Sequence, residues 1–321
     1  MSPRKINRKA IYILIMEKSK YNRNNRKPQN KTNVERKKRG GPDFSYNNRG
    51  SEIHLSPDRT NARNNYAAKS VLSDALSDTG VVIGRNSVRE LLKSDRDIDK
   101  LLVQKGEREG SIVMLVAQAV EKGIPVVETD KNRLDEISGF GHHQGVVAMA
   151  SEKEYCSVDE ILEIAKEREE NPLIVIADGI TDPYNLGALI RCAEGAGAHG
   201  LIISKRRAVG MTFSVSKSSA GAIEHLAVAK VSNIASTIRS LKEKGIWVFA
   251  AEAGGKPYYK TDFKGPCALV FGSEGNGVSR VVLDACDAVT SIPMYGKVNS
   301  FNVSTAASVI LCEAARQNRG L

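Results

Sequence analysis

The chain has 321 residues, 41% apolar and 26% charged, enough for two ordinary domains with separate cores and typical of a soluble globular protein. Its net charge of +10 points to a polyanionic partner, yet residues 1–79 carry 18 Lys and Arg against 7 Asp and Glu, while residues 80–321 carry 29 against 30. No apolar stretch reaches membrane-spanning length, and five scattered cysteines, never spaced as CxxC, argue against a disulfide framework or structural zinc and for a reduced, cytoplasmic setting.

Residues 1–79 are rich in Asn, Arg, Lys and Ser and show no sustained period of 2 or 3.6, which predicts a disordered basic extension. Such an arm suits loose, salt-sensitive attachment to RNA phosphates; a solvated tail without a partner is the plainer alternative. The apolar run Ala10-Ile11-Tyr12-Ile13-Leu14-Ile15 is too short to span a membrane and is followed at once by Met16. The expectation is that Met16 is the native start and that residues 1–15 are upstream read-through.

After Gly80 strand and helix signals alternate. Strands are predicted over Val81–Ile83, Ile98–Val103, Ile124–Glu128 and Gly145–Ala150. Between them come a helix capped by Asn86 and running to Lys93, an amphipathic helix over Ser111–Lys122 closed by Gly123, and a short helix from Asn132. Residues 80–150 thus form a compact α/β domain. Ser157 and Glu160 are placed as a capping box for a charged helix to Glu170, ended by Asn171-Pro172. Residues 151–172 are therefore a helical linker.

From 173 to 321 the pattern is that of a second α/β domain. The apolar strand Leu173–Ala177 is followed by strands near 200–203, 226–231, 246–251, 267–271 and 288–292, with helices between them and a last helix over Val303–Gln317. Short apolar strands separated by helices indicate a largely parallel sheet covered on both faces.

Three tempting motifs have plainer explanations. Residues 195–200 match GxGxxG, but they follow a helix and lead into a strand, the reverse of a dinucleotide-binding turn, so a helix C-cap is expected. His142-His143 has no third ligand at metal-binding spacing; a loop that touches RNA is expected instead. Lys205-Arg206-Arg207 follows a predicted strand end, where phosphate contact outweighs simple solvation.

Three further segments place chemistry-bearing residues at successive strand ends. The first runs from Asp178-Gly179-Ile180-Thr181-Asp182-Pro183-Tyr184-Asn185 to Arg191, with Asn185 at a helix start and Arg191 about one and a half turns on. The second, Phe271-Gly272-Ser273-Glu274-Gly275-Asn276-Gly277, has three glycines that allow close backbone approach to a ligand and one carboxylate, Glu274. The third comprises Ile292-Pro293-Met294 and, after a loop, Ser300-Phe301-Asn302-Val303-Ser304 opening the last helix. Ser300 and Asn302 are each natural capping residues.

Taken together, these segments resemble motifs one, two and three of the SpoU (TrmH) class of RNA 2′-O-ribose methyltransferases, over residues 173–319. Residues 80–150, ending in Gly141-His142-His143-Gln144-Gly145-Val146, look like the ribosomal-protein-like substrate-binding domain of the branch that methylates a guanosine in 23S ribosomal RNA. The resemblance implies a deep trefoil knot in the catalytic domain, where pattern alone indicates an ordinary doubly wound sheet. It implies S-adenosylmethionine as cofactor, held by Gly272, Ile292, Met294 and Phe301, no metal, and a homodimer whose active sites draw on both subunits. Phe301 stands where the family pattern has an aliphatic residue. By the same resemblance Arg191 acts on the ribose hydroxyl, Asn185 and Glu274 position it or the substrate, and Ser300 and Asn302 complete the site. A guanidinium rarely accepts a proton, so the alternative is that Arg191 stays charged and stabilises the developing alkoxide while a phosphate or water takes the proton. A tRNA substrate, or a non-catalytic RNA-binding assembly factor, are the competing functions; the full set of five polar residues argues against the second.

Overall fold

The computed structural model describes residues 80–320 apart from 107–109 and 140. The basic arm expected over 1–79, with Met16, lies outside the described residues.

The smaller of two sheets contains β1 (Val81–Ile83), β2 (Ile98–Gln104), β3 (Val126–Thr129) and β4 (Val146–Ala150), in the order β1-β4-β2-β3. β4 runs antiparallel to β1 and β2, and β3 runs parallel to β2. Helices α1 (Arg85–Lys93) and α2 (Ser111–Glu121) pack Leu91, Leu92, Leu115 and Ala119 on one face. Leu134 of α3 (Lys131–Ile137) fills the other. Asn86 does not cap α1, contrary to expectation. Gly84 holds the N-cap position at φ 88°, a conformation that turns the chain straight from β1 into the helix, and Asn86 falls inside the first turn.

The helix α4 (Val158–Glu167) has the expected capping box. Glu160 N donates to Ser157 Oγ at 3.2 Å, and Ser157 N donates to Glu160 Oε2 at 2.6 Å. Its Ile161 is fully buried among residues of the larger sheet, so this helix is part of that sheet's covering layer.

The larger sheet contains β5 (Leu173–Asp178), β6 (Gly200–Ser204), β7 (Ala227–Val231), β8 (Trp247–Pro257), β9 (Cys267–Gly272) and β10 (Ala288–Ser291). Their order is β10-β8-β9-β5-β6-β7, and every neighbouring pair is parallel. Side chains of β5 alternate between two cores. Leu173, Val175 and Ala177 join the cluster beneath α5 (Pro183–Gly195) and α9 (Val303–Asn318), and Ile174 and Ile176 join the one beneath α4, α7 (Ile234–Glu243) and α8 (Arg280–Leu283). β8 is longer than its sequence predicts. Its register with β10 jumps from Ala250–Val289 to Lys256–Thr290, so residues 251–255 bulge out of the pairing.

The GxGxxG segment ends α5 as expected. Ala198 N donates to Ala193 O and Gly197 N to Glu194 O, with Gly197 at φ 76°, which is the Schellman pattern.

Helix α6 (Phe213–Ser218) joins the two sheets. Phe213 enters the core of the smaller sheet, while Ser218 Oγ donates to Pro183 O at 3.0 Å in the first turn of α5. Arg96 meets Glu224 at 2.9 Å, with the two side chains only 11% and 1% exposed, and Glu90 meets His225 at 2.9 Å. Among the described residues, no helix is long and apolar enough to cross a membrane.

Candidate active site

β5 and β9 stay in register to their last residues, Asp178 opposite Gly272. The segments that leave these strands therefore start side by side at the carboxyl edge, where open α/β sheets bind ligands. β8 flanks β9 with Ala251 opposite Phe271, which brings its 251–255 bulge to the same edge. Two of the three candidate segments thus begin from neighbouring strand ends, and the third leaves β10, on the far side of β8.

Asp182 caps α5, accepting from Tyr184 N at 2.6 Å and Asn185 N at 3.4 Å, and Pro183 occupies the first turn. This cap sets Asn185 at the amino end of the helix. On the next strand, residues 273–277 close a tight loop through paired backbone bonds, Ser273 N to Gly277 O at 3.1 Å and Gly277 N to Ser273 O at 2.9 Å. Gly272 makes that closure possible: a Cβ there would lie 2.0 Å from the Gly277 carbonyl carbon. Two carboxylates hold the loop from outside. Val278 N donates to Glu252 Oε2 at 2.9 Å, and Ser279 N donates to Asp178 Oδ2 at 2.8 Å. Glu274 sits exposed on the loop.

Asn302 caps α9 and joins the site with the same amide. Its Oδ1 accepts from Ser304 N at 2.9 Å and Ser304 Oγ at 2.6 Å. A backbone N–H only donates, so that bond fixes which way the amide faces. Its Nδ2 then donates to Glu274 Oε1 at 2.6 Å and to Asn185 Oδ1 at 3.1 Å. One side chain from each of the three segments meets here, and the Asn302 amide is fully engaged. Asn185 uses only its oxygen, and its own Nδ2 has no partner among the described residues.

The other expected site residues make no side-chain hydrogen bond to this trio. Arg191 follows Asn185 by six residues, about 9 Å along the helix axis. It is exposed and has no hydrogen-bond or ion-pair partner among the described residues. Ser300 is likewise exposed and without a partner there. Gly272 is buried, Ile292 packs half-buried against the α5–α9 core, and Met294 is half-buried. Phe301 is 48% exposed and Tyr295, in the same connection, 91%.

Sequence reasoning passed over two residues that shape the site. Asp178 lies in the first segment but carries no role there until its bond to Ser279 is visible. Glu252 had no signal at all: nothing local in Ala251-Glu252-Ala253 distinguishes it, and only the strand order and the β8 bulge bring it to the loop.

The two side motifs also find places. His143 is buried; its Nδ1 accepts from Gly145 N at 3.0 Å, so Nε2 carries the proton and donates to Asp135 Oδ1 at 3.0 Å. That ring is spent on holding its loop, which feeds β4 as the reading of the His142-His143 pair expects, while His142 stands exposed. Lys205, Arg206 and Arg207 are exposed just past β6, the neighbour of β5.

Comparison with known proteins agrees with this arrangement. Residues 172–312 match the SpoU rRNA Methylase family, and residues 81–156 match the RNA 2′-O ribose methyltransferase substrate binding family. A putative TrmH family tRNA/rRNA methyltransferase of Bacillus subtilis, YacO, is 43% identical over 237 residues, 74% of this chain and 95% of the relative. A Staphylococcus haemolyticus protein of the same description is 42% identical over 240 residues, again 74% of this chain and 95% of the relative. Among solved structures, the fold resembles the SpoU methyltransferase AviRb from Streptomyces viridochromogenes, determined in complex with AdoMet. That likeness has a TM-score of 0.64 at 24% identity and covers 79% of this chain and all of that one. With strand ends, glycine loop and sequence relatives in accord, the chain belongs to the SpoU (TrmH) family of RNA methyltransferases.

Proposed function

We propose that the protein transfers the methyl group of S-adenosylmethionine to a ribose 2′-hydroxyl of RNA, at a guanosine of 23S ribosomal RNA, in the cytoplasm. The observation that carries this reading is the Asn185–Asn302–Glu274 hydrogen-bonded trio at the carboxyl edge of a parallel sheet. In this reading residues 80–150 recruit RNA, 151–172 link, and 173–321 form a trefoil-knotted catalytic domain that works as a homodimer.

The residues around the glycine loop suit an adenosine-bearing sulfonium. Met294 and Ile292 offer half-buried apolar surface and Phe301 an exposed aromatic ring, while backbone amides of the 272–277 loop offer polar contacts. Those residues would hold the cofactor, which when bound supplies an electrophilic methyl group. Attack by a ribose hydroxyl requires that its proton be removed or strongly polarised. Arg191 is an unpaired cation among the described residues, on the helix whose first turn holds Asn185, and it stabilises the developing alkoxide while a phosphate or water takes the hydroxyl proton. The free Nδ2 of Asn185 and the exposed carboxylate of Glu274 orient the ribose, and Ser300 contributes a further hydroxyl. Within a homodimer, the exposed Arg191 can serve either its own site or its neighbour's.

A second substrate has one observation in its favour: the Bacillus subtilis relative is described as acting on tRNA or rRNA. Tritium transfer from labelled S-adenosylmethionine to 23S rRNA and to tRNA, assayed separately, tests the choice. Label in 23S rRNA is the expected result, label only in tRNA overturns the substrate, and label in neither favours a binding protein.

A further inference from the structure

A cavity of about 850 Å³ opens on the smaller sheet, where the β1–α1 turn, the end of β2, the starts of α2 and α3, and the 141–145 loop converge. Its volume falls in the range of small-molecule and nucleotide pockets. Its lining is polar and cationic. Arg85, Lys105 and Lys131 contribute positive charge, and His142 stands exposed beside them. The one carboxylate of the lining, Asp135, is already engaged by His143 at 3.0 Å and lies 3.4 Å from Lys131.

The cations are available. The Lys105–Asp130 and Lys131–Asp135 pairs are each 3.4 Å apart, and the two lysine side chains are 58% and 66% exposed, so these pairs hold the ammonium groups weakly. Arg85 is instead fixed. Its backbone N donates to Gln144 Oε1 at 2.8 Å and its Nε to Gln144 O at 3.1 Å. Gln144 adopts φ 53°, an unusual conformation for a non-glycine residue and one that concentrates at ligand-holding loops. A guanidinium nitrogen of Arg85 also donates to Ser111 Oγ at 3.4 Å, and Arg85, Gln104 and Gln144 line the one cavity, with the Gln144 amide nitrogen unpartnered among the described residues.

We infer that this cavity receives an unpaired RNA nucleotide, with its flanking phosphates on Lys105, Lys131 and Arg85 and its base edge read by Gln104 and Gln144. The mixture of cations and neutral amides is the reason for the choice. A site for duplex backbone needs cations alone, whereas amides with both donor and acceptor atoms match the exposed edge of an unstacked base. The inference rests on the reading of RNA as substrate and adds which RNA chemistry the smaller sheet selects. It also assigns His143 its purpose, because the His143–Asp135 bond fixes the loop that carries Gln144.

The test uses the full chain bound to deproteinised 23S rRNA, with a mixed-sequence single-stranded RNA decamer or its duplex as competitor. Wild-type protein should be displaced by the single strand at about tenfold lower concentration than by the duplex. Lys105→Ala combined with Lys131→Ala should abolish that difference and flatten the slope of log affinity against log salt by about 1.4, two single-strand phosphates' worth. Gln144→Ala should reduce the single-strand preference with the salt slope unchanged. Equal competition by strand and duplex in the wild type overturns the inference, as does a doubly substituted protein that retains both preference and slope. Methyl transfer by the wild type is measured in parallel. Its absence would refute the catalytic reading while the competition still decides the pocket.

Discussion

Asn302 Nδ2 donates to Glu274 Oε1 at 2.6 Å while Asn302 Oδ1 caps the helix that follows. The amide thus has two separable duties. Asn302→Ser keeps a capping oxygen and removes the bonds to Glu274 and Asn185, so its thermal stability should stay near wild type while turnover falls about 100- to 1,000-fold. Asn302→Ala should show the same catalytic loss and an added destabilisation of about 1 kcal/mol. Calorimetry paired with single-turnover methylation separates the two; full activity in Asn302→Ser would remove the residue from the site.

Gly272→Ala forces a methyl group against the Gly277 carbonyl carbon, 2.0 Å from where the Cβ would sit. Because the three nearest atoms, Gly277 C, Gly277 O and Val278 N, are all backbone, no side chain can swing aside. The 273–277 loop must open, and affinity for S-adenosylmethionine should drop at least about tenfold, a loss of about 1.4 kcal/mol, read by titration calorimetry.

Arg191 makes no bond within the described chain, so its removal leaves no buried partner stranded. Arg191→Ala should fold normally, bind S-adenosylmethionine as wild type does, and lose methyl transfer by about 100-fold or more. Near-normal methylation by this variant would exclude Arg191 both as a base and as a stabilising cation.

The fold's layers were legible in the sequence for clear reasons. Leu173–Ala177 and 267–271 read as continuous apolar runs because both faces of a parallel strand are covered, and the Schellman turn at 195–198 was legible from its glycine after a helix. Asn185, Glu274 and Asn302 stood out because capping residues and glycines punctuate strand ends. The cap of α1 was misread because Gly84 turns the chain two residues earlier than a capping side chain would. Glu252 could not be read at all. Its partner Val278 lies 26 residues away, and only the placement of β9 between β8 and β5 brings them together.

Stability should depend on pH through His199. Burial pushes its ring below the usual imidazole range, only partly offset by the bond from Nε2 to Glu170 at 3.0 Å. The folded state resists the proton that the unfolded chain accepts, so this contribution is present above pH of about 6.5 and declines as pH falls below it. The melting temperature of wild type should fall more steeply between pH 7 and 5.5 than that of His199→Gln, whose amide can still accept from Leu173 N.

Residues 1–79 carry the net positive charge of the chain, with 18 basic against 7 acidic residues. Deleting them should raise the RNA KM and flatten its dependence on salt. Unchanged kinetics across a salt series would exclude an RNA role for the arm.

The chemical position of the methyl group tests the central claim most directly. Labelled methyl transferred to RNA should appear, after alkaline hydrolysis, in a dinucleotide that resists cleavage because its ribose 2′-oxygen is blocked. Label recovered instead in mononucleotides, on the base, would contradict the account.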